Sequence, residues 1–214
     1  MPTTSTKSKG KATAGELLGV EVPAQTGFDD LLFSAFGEAP GNEEVKAGVP
    51  FVGPSGRIFN RILYQLNIRR WQIHTDNVVQ KKLPGNNTSY LWKVTPKGRF
   101  VTHPDWDAIV ADFKERVRNC PTQCVVFLGQ TPMVAMFGPE YKAIDTLRGY
   151  HIWWEDKLIM PTNHPAKAMP GHSPSAFWLI YSDITKMLKI AKHGAHQPEM
   201  DIFIPGRGIV THAM

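Results

Sequence analysis

The chain is poor in cysteine: Cys120 and Cys124 are the only two in 214 residues. Two thiols exclude a disulfide framework, and they are too few for a four-thiolate cluster. No apolar run is long enough to span a bilayer, and Met1 to Gly15 lacks the apolar segment of a signal peptide. The expectation is a cytoplasmic protein with no membrane contact. Neither G-x-G-x-x-G nor G-x-x-x-x-G-K-[ST] occurs, which argues against a nucleotide-binding α/β protein built on either phosphate cradle. No internal repeat is visible.

What is present suits one ample globular domain. Hydrophobic residues make up 42% and charged residues 20% of the chain, enough to bury a substantial core and ordinary for a soluble fold. The formal net charge of +5 permits a polyanionic partner without identifying one. Residues 1–15 are rich in Thr, Ser, Lys and Gly, with Lys7, Lys9 and Lys11, and read as a disordered basic tail. Residues 16–214 read as the single domain.

The organising stretch runs from Gly37-Glu38-Ala39-Pro40-Gly41 through Pro50-Phe51-Val52-Gly53-Pro54-Ser55-Gly56. An apolar run, Leu31 to Phe36, precedes it and reads as a short buried strand. Ile58, Phe59, Ile62, Leu63 and Leu66 follow at helical spacing, behind Ser55 as the expected N-cap. A loop with this much glycine and proline is either a plain surface connection or a place where backbone N–H groups and Glu38 approach a ligand. Further along, Gln72 to Val79, Cys124 to Leu128 and Leu158 to Met160 read as strands, the last paired with His151 to Trp154 in a hairpin. Helices are expected after Asp105, from Thr131 to Phe137, and from about Ser175 to Lys192. The pieces beyond residue 195 have no clear assignment. Alternating strands and helices predict an α/β sandwich around a mainly parallel sheet, with ligands beyond the carboxyl ends of the strands. Glu38, Asn77, Gly129 and His164 each fall at such an end, which makes them candidates for one site.

The segment from about residue 80 to 104 reads as a polar insertion. From Asn67 to Pro104, Arg69, Arg70, Lys81, Lys82, Lys93, Lys97 and Arg99 are balanced only by Asp76, with Trp71, Tyr90, Trp92 and Phe100 interleaved. Basic charge with aromatics suits a nucleic-acid groove; a solvated loop is the plainer alternative.

The Gly37–Gly41 turn, the Pro50-Phe51-Val52-Gly53 segment, Thr75-Asp76-Asn77-Val78-Val79 and Thr162-Asn163-His164-Pro165-Ala166 together resemble the motifs of the uracil-DNA glycosylase superfamily, most closely family 4. The resemblance covers about Ser34 to Ile190. It implies a three-layer sandwich with a central, mainly parallel four-stranded sheet, and an enzyme that flips a pyrimidine nucleotide and hydrolyses its N-glycosidic bond. It further implies that Phe51 stacks on the base, within a pocket formed with Ala39, Gly41, Glu44 and Asn77. Asn77 would pair with the pyrimidine edge through one donor and one acceptor. His164 would donate to the departing base, and Glu38 or Glu44 would orient water or balance the cationic sugar. Met169 would be the wedge that fills the vacated stack, with Lys167 near a phosphate. Lys81, Lys82, Lys93 and Arg99 would bind DNA.

Departures from the pattern carry expectations of their own. Family 4 proteins hold an iron–sulfur cluster through four cysteines; here residues 1–36 contain none, and Lys81 stands at the third ligand position. No cluster, metal or cofactor is expected. Ala39 stands where family 1 enzymes carry a water-activating aspartate, so water activation would be weaker or come from Glu38. Gly41 stands where family 1 carries a tyrosine that excludes substituents at pyrimidine C5, and Glu44 matches the carboxylate family 4 uses instead. The implied protein is a monomeric DNA glycosylase, acting on single- or double-stranded DNA, with uracil as the default base. Alternatives are a glycosylase for a bulky C5-modified pyrimidine of phage DNA, such as glucosylated 5-hydroxymethylcytosine, and a catalytically silent DNA-binding relative.

Overall fold

The apolar runs become strands whose side chains alternate between two cores. In the computed structural model, which describes residues 20–28, 30–193, 202–204 and 208–210, strands β1 (Phe33–Gly37) and β2 (Ile73–Asn77) are joined through helices α1 (Asn42–Ala47) and α2 (Pro54–Gln65). A short hairpin, β3 (Trp92–Val94) and β4 (Phe100–Thr102), leads into α3 (Trp106–Arg118), β5 (Cys124–Leu128), α4 (Gln130–Phe137) and α5 (Ile144–Leu147). Strands β6 (Ile152–Trp154) and β7 (Lys157–Thr162) and the long α6 (Ser175–His193) follow. The main sheet has the order β2-β1-β5-β7-β6. Its first four strands are parallel, and β6 runs antiparallel to β7.

Period-two alternation divides the core. On one face Phe36, Val125, Phe127 and Ile159 pack with Phe113 and Val117 of α3 and Met133 and Met136 of α4. On the other, Phe33, Ala35, Val126, Leu128 and Met160 pack with Phe59, Ile62 and Leu63 of α2 and with Ile180, Ile184 and Met187 of α6. The result is the expected three-layer α/β sandwich, in which each fully buried Phe, Leu or Ile contributes roughly 1.5–3 kcal/mol.

The sheet has five strands where four were expected. The hairpin partner β6 is not an appendage; it pairs with β7 from Ile152↔Ile159 to Trp154↔Lys157 and extends the sheet by one edge strand. Helix α2 also starts earlier than expected, with Gly53 as N-cap and Pro54 in the first turn, because the fixed φ of proline suits the first helical position better than Ser55 suits the cap. The insertion is more ordered than a polar loop: 3-10 turns over Pro84–Asn86 and Thr88–Tyr90 precede the β3–β4 hairpin. Leu91 is fully buried, and Phe100 packs on Trp92 and Trp106 with ring centroids 6.0 and 6.4 Å apart. Near the C-terminus β8 (Ile202–Ile204) pairs antiparallel with β9 (Gly208–Val210), in the stretch that the sequence left unassigned. The basic tail, residues 1–15, lies outside the described residues. Among the described residues no helix is long and apolar enough to cross a membrane.

Candidate active site

The strand order reverses at β1. The chain leaves β1 for β2 on one side and returns to β5 on the other, which opens a crevice at the carboxyl ends of the strands. Register sets Gly37 beside Asn77 and Leu128 beside Thr162. The residues that follow three of these ends, Glu38 after β1, Gly129 and Thr131 after β5, and Asn163 and His164 after β7, line one cleft of about 460 Å³.

Two glycines make the close approach possible. A Cβ on Gly37 would fall 2.6 Å from Asn77 Oδ1 and 2.7 Å from the Phe51 ring, so any side chain there would push both away. Gly129 has φ +96, and its Cβ would sit 3.0 Å from His164 Cβ. It carries both the left-handed conformation and the contact that lets β5 end against His164.

Glu38 and His164 therefore face the same cleft. Glu38 Oε2 accepts from the Thr131 hydroxyl at 2.8 Å. Burial raises its pKa, and the Thr131 hydrogen bond works against that rise. His164 Nδ1 accepts from the Ala166 N–H at 3.2 Å. Burial lowers the His164 pKa to about 4, so the ring is neutral at physiological pH. Because Nδ1 is an acceptor, the ring proton is on Nε2, and His164 is a donor with a fixed tautomer. Beside it Asn163 is fully buried, its Oδ1 accepting from Lys167 Nζ at 3.3 Å while its Nδ2 has no partner. Lys167 Nζ also pairs with Asp145 Oδ1 at 2.5 Å.

Asn77 and Phe51 lie next to this cleft, across Gly37, and do not line it. The Asn77 backbone is held firmly: its N–H donates to Asp76 Oδ1 at 2.7 Å and its carbonyl accepts from Arg116 Nη1 at 2.8 Å. Arg116 also pairs with the buried Asp76 carboxylate and donates to the Val78 carbonyl. Phe51 is buried with φ +59, a conformation that costs a non-glycine residue about 1–3 kcal/mol. Its N–H donates to Glu44 Oε1 at 2.8 Å, and its carbonyl accepts from Asn60 Nδ2 at 3.1 Å. Glu44 was expected as a base-binding carboxylate; instead it is buried, with one oxygen on Phe51 N–H and the other on Gly41 N–H. Those two backbone donors tie it into the loop. A Cβ on Gly41 would meet Glu44 Oε2 at 3.0 Å, so that carboxylate occupies the space beside Gly41. Ala39 packs against the core on the α3 face.

Of the expected DNA-contacting residues only Lys167 lines the cleft. Lys93, exposed on β3, alternates with Trp92 and so points away from the cleft that Trp92 lines. Arg99 and Lys81 are exposed and Lys82 is half-buried; Lys81 forms a β-bridge with Glu21. Met169 is half-buried just beyond the 3-10 turn Pro165–Ala168.

A family model described as the uracil DNA glycosylase superfamily matches residues 30–185. The chain belongs to that superfamily. A type-4 uracil-DNA glycosylase of Thermotoga maritima is 28% identical over 157 residues, covering 73% of this chain and 76% of that protein. Another from Sulfurisphaera tokodaii is 27% identical over 178 residues, covering 79% and 74%. A third, from Pyrobaculum aerophilum, reaches 44% identity over only 52 residues, about a quarter of each chain.

The iron–sulfur cluster implied by the family 4 resemblance does not fit the residues present. Cys120 and Cys124 are both buried and belong to different hydrophobic cores, Cys120 to that on the α3 face and Cys124 to that on the α6 face. Among the described residues no group of three or more His, Cys, Asp or Glu side chains could hold a metal ion.

Sequence reasoning missed Thr131, Asn163 and Asp145 as site residues, and it read Trp92 as part of a nucleic-acid groove or a contact to a C5 substituent, not as a partner of Thr131. Thr131 carried one usable signal, its place in the first turn of a helix that opens directly from a strand. Trp92 carried none, because its indole N–H reaches Thr131 Oγ1, 3.3 Å away and 39 positions along the chain.

Proposed function

We infer that this protein is a DNA glycosylase, a hydrolase of N-glycosyl bonds, and that it excises uracil from DNA to leave an abasic site. The observation that carries the reading is the presence of a half-buried carboxylate and a neutral, tautomer-fixed histidine on one cleft at the switch point. Cleavage sends the C1′–N1 bonding electrons onto the base, where they appear as charge on O2, and leaves the sugar cationic. The His164 Nε2–H stabilises the first charge; a neutral donor suits this because it need not transfer its proton. The Glu38 carboxylate offsets the second and orients the water whose oxygen bonds to C1′, the released proton passing to Glu38 or to solvent. With Ala39 in place of an aspartate, Glu38 is the carboxylate for both tasks.

Phe51 and Asn77 hold the flipped base, Phe51 by stacking and Asn77 through its amide. Lys167 exchanges Asp145 for a DNA phosphate, and Met169 fills the gap in the stack. Glu44 beside Gly41 supports uracil as the base, since it occupies space that an open C5 edge would need. One observation favours a second reading, a pyrimidine with a larger C5 substituent: the cleft runs on to Thr88, Ser89 and Trp92 of the insertion and to Gln130.

The experiment is a panel of duplex and single-stranded oligonucleotides carrying uracil, 5-hydroxymethyluracil, 5-hydroxymethylcytosine or its glucosylated form, assayed for abasic sites. Excision of uracil alone is the expected result. Excision of only the larger bases would replace this reading with the second, and no abasic sites in any DNA would leave a silent DNA-binding relative.

A further inference from the structure

We propose that Thr131 and Trp92 are positioning residues for Glu38, forming a relay from Trp92 Nε1–H to Thr131 Oγ1 and from the Thr131 hydroxyl proton to Glu38 Oε2. The relay opposes the neutral form of the carboxylate and leaves its other oxygen for the nucleotide. This deepens the glycosylase reading of the cleft and rests on it.

The direction of the relay follows from donor chemistry. An indole N–H can only donate, so Thr131 Oγ1 is the acceptor in its 3.3 Å contact with Trp92. A hydroxyl has a single proton, and the remaining partner of Thr131 is Glu38 Oε2 at 2.8 Å. With its proton directed at Oε2, the hydroxyl favours the ionised carboxylate over the acid. Thr131 is 1% exposed, so water does not compete for its hydroxyl, and its β-branched side chain has little rotameric freedom.

Glu38 needs such a partner. Burial favours its neutral form, and Thr131 is the group that opposes this. The other titratable groups on the cleft are His164, Lys167 and Asp145. His164 is neutral above about pH 4, and Lys167 is paired with Asp145. The relay also gives the insertion a part in the site that its charge did not suggest. Trp92 arrives on β3, packed against Phe100, so the hairpin supplies the indole that orients Thr131.

The test uses the full-length protein with Thr131→Val, Thr131→Ser and Trp92→Phe. The first readout is an NMR titration of the Glu38 side-chain carboxyl carbon, assigned by its loss in Glu38→Gln. Thr131→Val should move the titration to higher pH, Thr131→Ser should restore it, and Trp92→Phe should move it by less in the same direction. The second readout is single-turnover uracil release against pH. The acid limb of Thr131→Val should move to higher pH, with a roughly tenfold loss at acid pH that shrinks towards neutrality, as expected for one hydrogen bond to a charged group. A Glu38 titration unmoved in Thr131→Val, or moved equally in Thr131→Ser, overturns the relay. If Thr131→Val does not fold, Trp92→Phe decides by the same titration, and an unmoved Glu38 again overturns it. Failure of the wild type to release uracil would overturn the glycosylase reading separately, and the titration would still judge the relay.

Discussion

Glu44→Ala tests whether the loop that presents Phe51 is held by a buried carboxylate or merely decorated by one. In the native protein Glu44 satisfies the N–H groups of Gly41 and Phe51, and it is 7% exposed. Alanine leaves both donors without that partner at about 1–3 kcal/mol each. Phe51, with φ +59, then relaxes and recovers about 1–3 kcal/mol of strain, which offsets part of the loss. The net destabilisation should be at most about 5 kcal/mol, or up to roughly 20 °C in Tm for a chain of this size. Glu44→Gln keeps one acceptor oxygen and should fall between wild type and alanine. Thermal unfolding followed by circular dichroism gives Tm, and uracil release by the variant at a temperature where it is folded gives kcat/KM. Both should fall together, because losing the carboxylate that ties Gly41 and Phe51 costs stability and also frees the Phe51 ring proposed to stack on the base. A Tm within 1 °C of wild type with activity abolished would refute this reasoning and return Glu44 to direct contact with the base.

Two further outcomes follow from the charges. The His164 pKa is depressed from 6.5 to about 4 by burial, so the unfolded chain takes up this proton before the folded one does. The stability this contributes is fully present above about pH 6.5 and is lost as pH falls towards 4; His164→Gln should flatten that part of the stability–pH curve, as measured by urea unfolding between pH 4 and 7. DNA binding should weaken with salt by counterion release. Neutralising Lys81, Lys82, Lys93 and Arg99 together should reduce the slope of log K against log[salt], and an unchanged slope would remove the insertion from the DNA contact.

Much of the architecture was legible because it is written in periodicity. Phe33 and Ala35 against Phe36, and Cys124, Val126 and Leu128 against Val125 and Phe127, announce strands buried on both faces. Glu38 and His164 were legible as residues at strand ends. The fifth strand was not, since the Ile152–Trp154 run predicts a hairpin equally well whether or not it extends the main sheet. Aromatics in the insertion were ambiguous for a related reason. Trp92 and Phe100 sit among lysines in sequence, yet they pack together and close over the core. Glu44 shows a different limit: a carboxylate that satisfies two backbone N–H groups looks, in sequence, the same as one that awaits a ligand. Thr131 lies 93 positions from Glu38, and only the adjacency of β1 and β5 brings the two together.

The decisive chemistry is at one bond, the glycosidic C1′–N1 bond of uracil. A purified sample should convert a single uracil in an oligonucleotide to an abasic site, read as strand scission after alkali. His164→Ala and Asn77→Ala should each lower that rate by about 10²–10³, the worth of one transition-state donor, with DNA affinity and Tm little changed. Wild-type rates from folded His164→Ala would contradict the account.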